Sequence, residues 1–169
     1  MKLEAIRRFD TAVALIHRGL RLSIVSHVTG IHIKTLRPLY HEILGCRPPS
    51  GQMPSSSGIL STRSAQAMAS VIAALYQAAG GDRIYKEIDL AALLAAHDLY
   101  LELIDAVLPQ SSLEKPLDIT QAWIIVRDIR TGVINLEYCS HCRIRYVHAA
   151  TGRLPPGCPI CAMRKRAPP

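Results

Sequence analysis

The chain has 169 residues, 49% apolar and 20% charged, with a formal net charge of +7. That is a globular composition, which excludes a disordered or low-complexity protein. Residues 1–10 have no apolar run beside their charges, and no stretch reaches the roughly 18 uncharged apolar residues of a membrane span, so neither a secretory signal nor a membrane segment is expected, and a cytoplasmic location is.

One Trp and one Phe leave Leu, Ile, Val and Ala to build the core, which favours packed helices. From the start of the chain, Leu3, Ile6, Phe9, Val13 and Ile16 recur at three- and four-residue steps. They predict an amphipathic helix over residues 2–18, closed by Gly19. Residues 22–40 carry the pattern of a helix-turn-helix. Val25 and Val28 anchor its first helix, Ser26 permits a close crossing, Gly30 makes the turn, Ile31 fills the angle, and Leu36 and Leu39 seat the second helix. His32, Lys34, Thr35 and Arg37 then face outward from the first turns of that second helix, where base edges are read. Pro38 removes an amide from its interior and predicts a kink or a late start. A corner used for packing or for a protein partner has the same pattern.

Residues 45–63, rich in Pro, Ser and Gly, read as a linker or an ordered binding loop, with Cys46 a half-buried thiol at its edge. A helix is predicted over about 61–79, carrying Ala65, Met68, Ala69, Ile72, Leu75 and Tyr76, with Gly80 and Gly81 as its stop. Another is predicted over about 88–107, with Leu90, Leu93, Leu94, Leu101, Leu103 and Ile104 inward. Its Asp98, Glu102 and Asp105 form an acidic stripe suited to solvent or a partner. Asp118 is placed to cap a helix through Arg130 that buries Ile119, Trp123 and Val126 and stops at Gly132. Residues 133–138 alternate like a strand, and residues 146–148 form its return.

That hairpin sits among four cysteines. Cys139 and Cys142 form one Cys-x-x-Cys pair, Cys158 and Cys161 another, with fifteen residues between the pairs. Two such knuckles close a tetrahedron around one structural zinc ion, Zn2+, with no coordination position left open for water. Two disulfides or a redox switch are the alternatives; a reducing compartment favours metal. His141, inside the first knuckle, is an alternative ligand.

The charge is unevenly spread. Residues 1–40 sum to +5, residues 82–118 to −5 and residues 119–169 to +6. Two basic ends flank an acidic middle, an arrangement that grips a polyanion by phosphate neutralisation. The candidate DNA contacts are Lys34, Thr35 and Arg37 in the N-terminal corner, then Arg143 and Arg145 on the first knuckle. Arg153 lies between the knuckles, and Arg164, Lys165 and Arg166 follow the second. No Ser/His/Asp set, phosphate loop or open metal site is visible, so an enzyme is not expected.

The fold class expected is mainly α: a helical body with a helix-turn-helix-like N-terminal corner and a small C-terminal zinc-ribbon-like module. Residues 1–132 are expected to form the helical domain, with a linker or loop at about 45–63. Residues 133–163 would form the zinc-binding module and residues 164–169 a flexible basic tail.

Residues 119–127, Gly132, Leu136, the Cys139/Cys142 pair, residues 146–148 and the Cys158/Cys161 pair together resemble the flagellar transcriptional activator subunit FlhC. Residues 35–45, 47–54 and 98–101 extend the likeness over most of the chain. The resemblance implies a DNA-binding subunit that works with an FlhD-type partner, two FlhC to four FlhD. That complex binds double-stranded DNA upstream of flagellar operon promoters and recruits RNA polymerase. It also implies that the zinc cysteines carry over one for one onto Cys139, Cys142, Cys158 and Cys161. The competing expectation is a zinc-stabilised protein-interaction adaptor without sequence-specific DNA binding.

Overall fold

Residues 2–107 and 115–164 are described by the structure, a computed structural model. The chain is mainly helical and separates into two compact units, one ending at Met53 and the other starting at Pro54.

The first unit is built from α1 (Lys2–His17), α2 (Leu22–Thr29) and α3 (Ile33–Leu44), each packed on the other two. Its core includes Leu15, Ile16, Leu20, Val25, Leu36 and Tyr40. The turn after α2 follows from side chains that compete for backbone groups. Ser26 Oγ donates to the Ile31 carbonyl at 2.7 Å, while Thr29 Oγ1 donates to Val25 O and accepts from the Ile31 amide. Gly30 sits at φ 66°, a left-handed conformation that favours glycine, while the Arg8 guanidinium lies where a Cβ would be and could swing aside. His32 then caps α3, its Nδ1 accepting from the Lys34 amide at 3.2 Å.

Pro38 does not delay α3, which starts at Ile33 and runs to Leu44. The missing amide would have paired with the Lys34 carbonyl, and both residues lie on the exposed side, where water can take that carbonyl. Two burial expectations also change here. Ile24 and Tyr40 join Val25 and Leu36 in the core, whereas Val28 and Leu39 are half-buried. On α1 the apolar stripe is covered only in its second half: Leu3, Ile6 and Phe9 are 64%, 56% and 44% exposed. At 1.5 Å per residue α1 is roughly 24 Å long, while α2 and α3 reach only about 12 and 18 Å, so they cannot cover all of it. Cys46 is exposed rather than half-buried.

The second unit begins with α4 (Ser56–Ile59), capped by Ser55 within the segment 45–63. Next come α5 (Arg63–Gly80), a 3-10 turn (Gly81–Tyr85), α6 (Leu90–Val107) and α7 (Ile119–Arg130). β1 (Ile134–Tyr138), β2 (Arg145–Ala149) and α8 (Pro159–Arg164) complete it. α5 is the spine, packing against α6, α7, α8, β2 and the 3-10 turn. Tyr76 on α5 pins the entry to α6 by accepting from the Asp89 amide at 2.9 Å. On α6 the buried face runs through Ala92, Leu93, Ala96, His97 and Tyr100, so Leu101 and Leu103, expected inward, fall off it and are 40% and 42% exposed. Tyr100 and His97 meet the amide and carbonyl of Leu117 at 2.9 and 3.1 Å. Asp118 caps α7 through a reciprocal pair with Gln121, as its position predicts. β1 and β2 form an antiparallel hairpin with Leu136 opposite Val147 and Tyr138 opposite Arg145.

Candidate metal centre

The first knuckle leaves β1 directly. The Cys139 amide donates to Ile144 O at 3.0 Å, and the Arg143 amide folds back to Cys139 O at 2.8 Å. Arg143 takes φ 59°, the one positive φ outside glycine among the described residues. The second knuckle opens α8, where Cys158 O accepts from the Ala162 amide at 3.1 Å. The loop before it is held from α5: Arg63 donates to Pro155 O at 2.8 Å and to Gly157 O at 2.9 Å. β2 is held from the same helix. Gln66 Nε2 donates to Val147 O at 2.8 Å, and Ser70 Oγ accepts from the Val147 amide at 3.1 Å.

These supports bring the four sulfurs together. All lie within 4.8 Å of one another. The Cys139 and Cys161 sulfurs are 3.8 Å apart, those of Cys142 and Cys158 3.5 Å. Ligands about 2.3 Å from a tetrahedral zinc ion lie about 3.8 Å from each other, so the cluster fits that ion. Disulfides need sulfurs about 2.05 Å apart, and all four cysteines are free. His141 is exposed and outside the cluster.

The local fields differ among the thiols. Amides of Cys142 and His141 point at Cys139, the first being the larger influence, and hold its thiol down to about 7. Desolvation raises Cys158. It also raises Cys161, to about 12, with the neighbouring thiols adding to the effect. A divalent cation at the centre reverses the balance, because a coordinated thiol gives up its proton. Beside the cluster, Tyr146 donates to Glu137 Oε2 at 2.6 Å across the hairpin, and that bond is the main reason its hydroxyl is pushed up to about 12.

The candidate basic contacts fall in both units. Lys34, Thr35 and Arg37 are exposed on α3. Arg143 and Arg145 are exposed together at the first knuckle, Arg153 on the loop between knuckles, and Arg164 at the end of α8. Lys165 and Arg166 lie outside the described residues. The supporting residues Arg63, Gln66 and Ser70 were missed in the sequence. Their signal is a run of polar side chains three and four apart on the otherwise apolar face of a helix.

Residues 2–168 match the family model described as "Flagellar transcriptional activator (FlhC)". Relatives include proteins called flagellar transcriptional regulator FlhC. The one from Erwinia tasmaniensis is 29% identical over 98% of this chain and 90% of its own. That from Enterobacter cloacae is 28% identical over 98% and 84%. That from Variovorax paradoxus is 30% identical over 98% and 79%. Among the described residues no helix is long and apolar enough to cross a membrane.

Proposed function

The chain belongs to the FlhC family of flagellar transcriptional activators, and from that premise we propose how it regulates flagellar transcription. It is a DNA-binding activator subunit that assembles with an FlhD-type partner, two copies to four, in the cytoplasm. The assembly binds flagellar operon promoters and recruits RNA polymerase. Each chain holds one structural zinc ion on Cys139, Cys142, Cys158 and Cys161. Four thiolates complete that ion's coordination, so it shapes residues 133–163 and catalyses nothing.

The observation that carries this reading is the coupling of metal site and charge at the first knuckle. Arg143 and Arg145 are exposed there, within three residues of Cys142, and none of residues 139–145 is acidic. Fixing the knuckle therefore fixes two cations where a phosphate chain can pass. Arg153 and Arg164 are exposed in the same unit, Lys165 and Arg166 follow in the sequence, and Lys34, Thr35 and Arg37 on α3 supply contacts from the first unit. The test is co-purification with an FlhD-type subunit, followed by a gel shift on a flagellar promoter and on a scrambled duplex. The reading requires a shift specific to the promoter. An adaptor would bring down the partner and shift neither DNA.

A further inference from the structure

A groove of about 500 Å³ lies within the first unit. Its cations come from three separate places in the sequence. Arg21 immediately precedes α2, Arg37 is on the second turn of α3, and Arg47 stands in the proline-rich loop after it. Ser23 and Ser50 add hydroxyls, while Pro48, Pro49 and Met53 give it an apolar wall. No lining residue is acidic. Arg21 also donates to Gly51 O at 2.9 Å, tying the loop across to the start of α2. The Ile24 and Val25 amides at the start of that helix go to the Arg21 carbonyl, at 2.9 and 3.1 Å.

We propose that this groove is a phosphate-binding site, with Arg37 and Arg47 as its forked donors and Arg21, which already donates to the loop, adding positive charge. A single carboxylate brings one negative charge against three guanidinium groups and leaves most of their charge unbalanced. A phosphate presents more acceptor oxygens and takes bidentate arginines from several directions. The apolar wall suits the sugar or base that accompanies it. The same chemistry is offered by the backbone of duplex DNA and by a free phosphate compound. The duplex source rests on the function proposed above; the site does not.

Full-length chain is titrated with a fluorescent duplex of arbitrary sequence at several salt concentrations, and with pyrophosphate by calorimetry. Arg47→Gln and Arg37→Gln are compared with Arg7→Gln on α1, a charge-matched control outside the groove. The two groove variants lose about tenfold in affinity, as expected when a charged hydrogen-bond donor is removed, and the control changes less than about twofold. If the duplex is the source, each groove variant also flattens the salt dependence by about 0.9 in log–log slope. If the native chain binds only pyrophosphate and the groove variants lose it, the site stands and the DNA-binding reading falls. Indifference of both probes to Arg37 and Arg47, or no binding of either by the native chain, overturns the inference. Native duplex binding in that case leaves DNA binding through other residues standing.

Discussion

Gln66, buried on α5, donates its side-chain amide to the carbonyl of Val147 on β2 at 2.8 Å. In the register of the hairpin the backbone groups of Val147 point away from β1, and Ser70 takes the other one. The open edge of β2 is thereby closed by helix side chains rather than by another strand. Gln66 Oε1 in turn accepts from Arg63, which reaches the two carbonyls ahead of Cys158. One polar chain runs from the hairpin, through α5, to the second knuckle. The cysteine cluster is therefore positioned by α5 as well as by its own turns.

Gln66→Leu leaves the Val147 carbonyl and one Arg63 donor without this partner in a buried place. A loss of about 1–3 kcal/mol in stability is expected. Urea denaturation should show a lower midpoint, while metal analysis still finds zinc bound. Unchanged stability would mean that the bond is incidental.

Cys158→Ser removes one of four ligands and should release the metal. Far-UV circular dichroism should keep most of its helical signal, because α1 to α7 all precede the knuckles and Cys158 is buried only at the start of the short α8. Thermal unfolding should begin earlier, since metal binding supplies folding energy to the hairpin. Full zinc content in this variant would contradict the ligand assignment.

Arg143→Gly separates structure from charge. A non-glycine residue in the left-handed region costs roughly 1–2 kcal/mol, and glycine returns roughly 0.5–1 of that as entropy of the unfolded chain. The variant should be as stable as the native chain or more stable by up to about 1.5 kcal/mol. Its duplex binding should nonetheless weaken, with the salt slope lower by about one phosphate contact. Arg143→Lys should keep the slope.

Asp118→Ala removes the capping pair with Gln121 at the start of α7. A loss of about 1 kcal/mol is expected. Thermal denaturation measures it, and zinc content should not change.

What the sequence disclosed was mostly local. The Asp118 cap and each Cys-x-x-Cys knuckle depend on neighbours a few residues away, and the return strand at Tyr146 and the meeting of the two knuckles on partners within about 22 residues. The exposure of Leu3, Ile6 and Phe9 did not follow from periodicity, which marks an apolar face without saying how far short partner helices will cover it. Leu101 and Leu103 were misplaced for a related reason: α6 is apolar nearly all round, and the position of α5 selects which face is buried. Pro38 obeyed its chemistry, yet exposure of the orphaned carbonyl removed the consequence expected for the start of α3. The polar spacing of Gln66 and Ser70 marks them as unusual on an apolar face, but not what they support, because their partner, Val147, lies 81 and 77 residues away.

The central claim is that zinc, by fixing the knuckles, gives this chain its grip on promoter DNA. The most direct test is a gel shift on a flagellar promoter with the chain and its FlhD-type partner, before and after chelation and again after adding Zn2+. The account predicts a shift that disappears with the metal and returns with it. An undiminished shift from metal-free protein would contradict it.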